Sequence, residues 1–283
     1  MIRGSTKVFA VIGDPIAHSL SPPIHNAAFR SLGMDCVYVA LRVRRAALKA
    51  AIEGIRSLGI AGINVTMPHK TAVLHLLDRA NVTAREIGAV NTVIRTDGGL
   101  EGHNTDGEAA VATLMSLGKS LSDSAALILG AGGAARAVVY HLSKTVAAIT
   151  ILNRTRSKAS RIAADAKSWS GIQCRSNGLN KTSLRKEMGR ANVLINTLPV
   201  DIFPRFASML MQQQLIRGDM IVLDVNYHSR NSFLAEARVA GAKVADGLDM
   251  LVRQAALSFR LWTGRDAPIE VMREAAVQSR AGP

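Results

Sequence analysis

The sequence predicts an α/β fold of two lobes in series, the first with a mixed sheet and the second with a doubly wound parallel sheet. Two observations carry this expectation. From Ala125 onward, short apolar runs alternate with helical stretches at the spacing of βαβ units. Before that, strands and helices alternate up to a hairpin signal at Asp97-Gly-Gly99. With 283 residues, 48% of them apolar and 20% charged, the chain is long enough for two cores and too apolar for disorder.

Each element follows from a local signal. Lys7–Ile12 is an apolar strand stopped by Gly13-Asp14-Pro15. Ser21 before Pro22 starts a helix that Gly33 stops. Cys36–Val43 alternates as a strand, and Arg45–Leu58 is an amphipathic helix closed by Gly59. Ala61–Thr66 is a third strand, broken by Pro68 before a helix from about Lys70 to Ala80. Ala89–Arg95 and Leu100–His103 form the hairpin. The second lobe opens with a helix near Asp106–Leu117 and a strand at Ala125–Leu129. Strands Ala147–Leu152, Asn192–Asn196, Met220–Val225 and Ala242–Ala245 then alternate with helices at Ser157–Ala166, about Phe206–Leu215 and Ser232–Ala240. Leu248–Thr263 and Ile269–Gln278 read as two closing helices.

Composition excludes several classes. The net charge is +14, with the basic excess centred on residues 107–246, a field that suits a polyanionic small ligand. With 4% aromatic residues, no zinc-finger spacing and no helix-turn-helix signature, nucleic acid is not the expected partner. Cys36 and Cys174 form no disulfide framework, and neither they nor the seven histidines show metal-ligand spacing. The apolar run Val8–Ile12 is too short for a signal-peptide core, and no run approaches the roughly 18 residues of a membrane span. A cytoplasmic protein with no membrane or nucleic-acid partner, monomeric or homodimeric, is expected.

The strand Ala125–Leu129 runs into Gly130-Ala131-Gly132-Gly133-Ala134 and then a helix. Gly130 permits the turn, Gly132 lets a phosphate approach the backbone, and Gly133 with Ala134 allows close helix–strand packing. The free N–H groups and dipole of the helix start favour a pyrophosphate. Read alone, the loop is equally a tight strand-to-helix turn. The next strand ends at Asn153-Arg154-Thr155-Arg156, with Asn153 standing 23 residues beyond Gly130, where an NAD site usually carries a carboxylate. Guanidinium groups there can pair with a 2′-phosphate, which points to NADP(H); as surface residues at a helix entrance the arginines would do neither.

The first lobe has polar residues where apolar ones are expected. Ser19 and Ser21 flank a helix start and either hold a carboxylate or serve as loop and cap. Asn64 and Thr66 share one side of a strand, Lys70 follows a proline-broken turn, and Asn91-Thr92 interrupts another apolar strand. Asn104-Thr105-Asp106-Gly107 puts a carboxylate at the boundary between lobes. These insertions indicate a ligand with several hydroxyls. Lys70 and Asp106 form either a proton-transfer pair or a structural salt bridge. His18, His25 and His69 receive no role.

Together these stretches resemble the shikimate dehydrogenase family. The resemblance rests on Gly13-Asp-Pro-Ile-Ala-His-Ser-Leu-Ser-Pro22, Asn64-Val-Thr-Met-Pro-His-Lys70, Gly88-Ala-Val-Asn-Thr92 and Asn104-Thr-Asp-Gly107. It continues through Gly130-Ala-Gly-Gly-Ala134, Asn153-Arg-Thr155, Asp246-Gly-Leu-Asp-Met-Leu251 and Gln254, nearly the whole chain. It implies reversible, NADP(H)-dependent reduction of 3-dehydroshikimate to shikimate, in the pathway to aromatic amino acids. Carried over by position, Lys70 and Asp106 would be the catalytic pair, and Ser19 and Ser21 would bind the substrate carboxylate. Asn64, Thr66, Asn91 and Gln254 would bind its hydroxyls, with Tyr227 lining the pocket. Beside the glycine loop and Asn153–Arg156, the cofactor would meet Val225, Gly247 and Met250. The implied organisation is a substrate-binding domain of residues 1–105 with 247–283, the closing helices returning to it, and a Rossmann-like NADP domain of residues 106–246.

The chain departs from the family pattern at Asn196-Thr-Leu-Pro-Val-Asp201, where Leu198 and Pro199 replace small polar residues. It departs again at His228-Ser-Arg-Asn-Ser232 and at Asp249, a place often held by glycine. The alternatives these leave open are quinate or an amino- or deoxy-analogue as substrate, and a non-catalytic dinucleotide sensor on the same scaffold.

Overall fold

The computed structural model describes residues 2–118, 120–199, 204–227 and 231–280. The chain divides into two compact units, Met1–Asp106 with Val252–Pro283, and Gly107–Leu251. Each has its own six-stranded sheet. Among the described residues, no helix is long and apolar enough to cross a membrane.

In the first unit, β1 (Lys7–Gly13), β2 (Cys36–Arg42) and β3 (Gly62–Val65) pair in parallel, with β1 in the middle. The hairpin β5 (Thr92–Thr96) and β6 (Gly99–His103) adds antiparallel pairs, and β4 (Arg79–Ala80) closes the far edge, giving the order β2-β1-β3-β5-β6-β4. The mixed sheet follows from connection length, since short turns join antiparallel strands and helical crossovers join parallel ones. Helices α1 (Ser21–Ser31), α2 (Leu48–Ser57) and α3 (Val82–Ile87) belong to this unit. Aromatic packing ties the sheet to helices: Phe9 lies 5.2 Å from Phe29 and 5.1 Å from Trp262, ring centre to ring centre. On another face, Ile12, Ile52, Ile63, Val65, Val73 and Leu100 form a buried cluster.

One expected element is absent. The helix from Lys70 to Ala80 is instead a single 3-10 turn, Val73–Leu76, followed by β4. Tertiary pairing overrides local propensity here. Arg79 and Ala80 pair with Glu101 and Gly102, and the Asp78 carboxylate accepts the Leu100 N–H at 2.7 Å. The short helix α3 after it is not among the expected elements; its Asn81 side chain caps the Ala84 N–H at 2.8 Å and Gly88 ends it at φ 69°.

The second unit is built from β7 (Ala125–Leu129), β8 (Ala148–Asn153), β9 (Gln173–Gly178), β10 (Val193–Asn196), β11 (Ile221–Asp224) and β12 (Lys243–Asp246). Every pairing is parallel, in the order β12-β11-β10-β7-β8-β9. This is the doubly wound Rossmann arrangement, whose order reverses between the first and fourth strands, β7 and β10. Its helices are α4 (Asp106–Met115), α5 (Gly133–Leu142), α6 (Arg156–Ser170), α7 (Lys181–Met188), α8 (Pro204–Gln212) and α9 (Ser232–Val239). The last two helices, α10 (Gly247–Thr263) and α11 (Ile269–Arg280), follow, and the division between units falls within α10. Strand β9 has no apolar pattern to announce it, because its side chains alternate between exposed and half-buried on a polar edge.

Candidate active site

In the first unit the chemistry-bearing residues are assembled at the ends of β3, β5 and β6. After β3 the chain turns through Pro68, and the backbone of the next residues is pinned. His69 N–H donates to Thr66 O at 2.9 Å, and Val90 N–H donates to Lys70 O at 2.7 Å. His69 is buried with Nε2 2.6 Å from Val43 O, a structural role. Gly13 leaves room for the Thr66 methyl, which a Cβ there would strike. Thr66 stands just beyond the end of β3 rather than within it, and is half-buried.

Held this way, Lys70 Nζ donates to Asp106 Oδ2 at 2.6 Å. The lysine side chain is 18% exposed and the aspartate 6%. Asp106 is the first residue of α4, where the helix dipole favours a carboxylate. Its own N–H donates to Asn104 Oδ1 at 3.1 Å, and the Asn104 amide donates to Ala89 O at 2.9 Å. Asp106 Oδ1 accepts a further bond, from Asn91 Nδ2, at 2.8 Å.

Asn91 is itself fixed. Its Oδ1 accepts the Thr105 N–H at 2.8 Å and the Thr92 hydroxyl at 3.0 Å, and its Nδ2 also reaches Gln254 Oε1 at 3.4 Å. Asn64 Nδ2 donates to Asn91 O, Thr92 Oγ1 and Ser258 Oγ at 3.1, 3.2 and 3.1 Å. Ser258, fully buried on α10, also contacts Thr92 Oγ1 at 2.8 Å and donates to Gln254 O at 3.0 Å. The result is one buried network through Asn64, Asn91, Thr92, Thr105, Asp106, Gln254 and Ser258, ending at the Lys70 ammonium. Buried polar atoms survive only when partnered, so the network fixes each side chain's orientation.

Ser19 and Ser21 lie at the start of α1. Ser21 is not the cap: Leu20 occupies that position without a side-chain bond, and Ser21 is the first helical residue, its N–H donating to Ser19 Oγ at 3.3 Å. Ser21 is buried. Tyr38, unread in the sequence, connects it to the network, because its hydroxyl contacts the Ser21 side chain and donates to Asn64 Oδ1 at 2.7 Å. Burial holds the Tyr38 phenol well above its ordinary range, so it stays a donor. His25, one turn beyond Ser21, stacks on Tyr38 at 4.4 Å and is fully buried. Burial lowers its pKa to about 3, with nearby Asn64 opposing the shift in part. Tyr38 and Ser258 were not readable because a tyrosine in a strand and a serine in an apolar helix carry no local signal.

In the second unit, β7 ends in Gly130 at φ 114°, a conformation open to glycine. Thr197, at the end of β10, fills the space where a Cβ would stand, and its hydroxyl donates to Leu129 O at 2.7 Å. Gly132 is the cap of α5 with no side-chain bond to the helix, so the first N–H groups after Ala131, those of Gly133, Ala134 and their neighbours, have no partner within the helix. At the end of β8, the Asn153 amide donates to Thr155 O at 3.0 Å, and Arg154, Thr155 and Arg156 are exposed. Val225 and Gly247 are adjacent: a side chain at Gly247 would strike Val225 O. Met250 is buried, and Tyr227 is half-buried beyond β11, its phenol pKa raised by burial. Leu198, Pro199 and Asp249 are described. Val200, Asp201 and residues 228–230 of the departing turn lie outside the described residues. Among the described residues, no cluster of His, Cys, Asp and Glu could hold a metal ion.

The chain is similar to known proteins along nearly its whole length. Residues 11–93 match the model of the shikimate dehydrogenase substrate binding domain, and residues 112–197 match that of shikimate / quinate 5-dehydrogenase. Residues 247–277 match the shikimate 5′-dehydrogenase C-terminal domain. The shikimate dehydrogenase (NADP(+)) of Methanothermobacter thermautotrophicus is 44% identical, with 97% of each chain aligned. A crystal structure of a shikimate dehydrogenase in complex with NADP+ superposes with a TM-score of 0.90 at 37% identity, covering 100% of this chain and 98% of that one. The Thermus thermophilus shikimate 5-dehydrogenase in complex with NADP(H) and shikimate gives 0.82 at 35% identity, over 96% and 99%. The chain belongs to the shikimate dehydrogenase family.

Proposed function

We propose that this chain is an NADP-dependent shikimate dehydrogenase that reversibly reduces 3-dehydroshikimate to shikimate, as a cytoplasmic enzyme of aromatic amino acid biosynthesis. The observation that carries the reading is the Lys70–Asp106 pair at 2.6 Å, its carboxylate also bonded to Asn91. A salt bridge needed only for stability would not require a buried scaffold of amides and hydroxyls around it, nor a lysine left partly open with two further N–H donors.

The second unit fits a dinucleotide. The α5 start offers unpaired N–H groups and a dipole to the pyrophosphate, and Gly132 has nothing within 4 Å of the side chain it lacks. Arg154 and Arg156 are exposed at the end of β8, where a 2′-phosphate would be read, and Asn153 brings no repelling carboxylate. Bound there, the nicotinamide supplies the hydride.

The remaining chemistry belongs to side chains. When a ketone carbon accepts hydride, negative charge grows on its oxygen, and the Lys70 ammonium is positioned to stabilise that charge and deliver the proton. Asp106 accepts a hydrogen bond from the ammonium and so fixes the direction of its two remaining N–H donors. In the reverse direction the same lysine, neutral, removes the hydroxyl proton as hydride leaves. Asn64, Thr66, Asn91 and Gln254 would hold the ring hydroxyls. Ser19 and Ser21, at a helix start with no side-chain cap, would hold the carboxylate. The first unit is thereby the substrate domain and the second the cofactor domain.

Steady-state kinetics with shikimate and quinate, each with NADP+ and NAD+, test the reading. Turnover highest for shikimate with NADP+ supports it. Preference for quinate, or for NAD+, contradicts it, and no turnover with any pair leaves the sensor alternative.

A further inference from the structure

The second unit contains a buried carboxylate that the proposed chemistry does not use. Asp224 closes β11 and is 1% exposed. Its Oδ1 accepts from Asn196 Nδ2 at 2.8 Å, from the Asn226 backbone N–H at 3.0 Å and from Asn226 Nδ2 at 2.8 Å. Its Oδ2 accepts from Asn231 Nδ2 at 2.8 Å. Among the described residues these hydrogen-bond partners are all neutral amides. A buried carboxylate is tolerated when its lone pairs are filled, and these amides fill them.

Each asparagine belongs to a different segment. Asn196 ends β10, and its Oδ1 accepts the Leu198 N–H at 3.0 Å. Asn226 precedes Tyr227, and its amide also donates to Leu198 O at 3.1 Å. Asn231 caps α9, accepting the Leu234 N–H at 3.1 Å. Leu198 is thus held at both its N–H and its carbonyl by asparagines that Asp224 holds in turn. The segment lies at the carboxyl end of β10, beside the β7 end that carries Gly130, which is where open α/β sheets bind ligands. The sequence there reads Asn196-Thr-Leu-Pro199, so neither Leu198 nor Pro199 brings a polar side chain. The Leu198 side chain packs into the core of the second unit and Pro199 is half-buried, so the rim they form offers a ligand backbone and ring surface but no hydroxyl. It acts by shape alone, and shape requires a fixed backbone.

We infer that Asp224 is a positioning residue for the nicotinamide half of the cofactor, fixing the backbone at Leu198 and the start of the Tyr227 segment through Asn196, Asn226 and Asn231. The inference rests on the NADP reading above. It separates the two halves of the cofactor, because the adenosine phosphates would meet the glycine loop and Arg154 while the nicotinamide would meet this rim.

The test measures binding of NADPH and of adenosine 2′,5′-bisphosphate, which lacks the nicotinamide half, by calorimetry on the purified protein. Asp224→Asn is expected to weaken NADPH about tenfold while leaving the bisphosphate within about twofold of wild type. Asn226→Ala and Asn231→Ala, which each remove a donor but leave the carboxylate partly satisfied, are expected to weaken NADPH about threefold with the same selectivity. These two keep the test decisive should Asp224→Asn fail to fold. Equal weakening of both ligands, or no change in either, overturns the positioning role. If the wild-type protein binds the bisphosphate but not NADPH, the rim does not receive a nicotinamide and the inference is wrong. If it binds neither, the NADP reading itself falls and takes the inference with it.

Discussion

Lys70 Nζ and Asp106 Oδ2 stand 2.6 Å apart, and the second oxygen of the same carboxylate accepts the Asn91 amide at 2.8 Å. The aspartate therefore has one oxygen for the lysine and one for the scaffold, and the ammonium cannot swing without breaking a charged hydrogen bond. Asp106→Asn is expected to lower kcat by about a hundredfold, because a neutral amide neither holds nor polarises the ammonium. Asn91→Ala should also lower kcat, and the double variant should lose less than the product of the single losses, since both act through one network. Multiplicative losses in the kinetics would show that Asn91 acts independently of Asp106.

Tyr38 sets the orientation of Asn64. Its hydroxyl donates to Asn64 Oδ1 while the Asn64 nitrogen is committed to Asn91, Thr92 and Ser258. Tyr38→Phe frees the amide to turn and is expected to raise the KM for shikimate by about tenfold with kcat and the KM for NADP+ little changed. An unaltered shikimate KM would remove Tyr38 from substrate positioning.

The two arginines after β8, Arg154 and Arg156, are exposed. Arg154→Ala is expected to weaken NADP+ by about ten- to a hundredfold and NAD+ by less than twofold, the difference being one charged hydrogen-bonding group on a phosphate. Equal effects on the two cofactors would mean that Arg154 does not read the 2′-phosphate.

His25 makes the fold sensitive to acid. Its pKa falls from 6.5 to about 3 on burial, so between those values the unfolded chain takes up a proton that the native protein refuses. The stability it contributes is complete above about pH 6.5 and declines as pH falls toward 3, by at most roughly 1.4 kcal/mol per unit. Urea midpoints at pH 7 and pH 5 should therefore fall more steeply for wild type than for His25→Gln. Parallel declines would place the acid sensitivity elsewhere.

Most of this architecture is legible in the residues. The glycine loop, the apolar strands of the second unit and the hairpin at Asp97 are local signals, and their elements stand where the sequence places them. The segment from Lys70 to Ala80 is not local: its apolar spacing fits a helix, but the edge pairing with β6 and the Asp78–Leu100 bond decide it. The site divides along the same line. Asn64 and Asn91 are conspicuous as polar residues in apolar strands, Lys70 by its place after a proline-broken turn, and Asp106 by its place where the sequence passes from the first lobe to the second. Tyr38, Ser258 and Asp224 are not, because their importance comes from partners remote in sequence, as with Ser258 on Asn64 across 194 positions.

The most direct test of the account is the turnover of Lys70→Ala with shikimate and NADP+, measured alongside its affinity for NADPH. The account predicts that kcat falls by about 10²- to 10⁴-fold while NADPH binds as in wild type, since the lysine serves proton transfer and not the cofactor. Turnover within a few fold of wild type would contradict it.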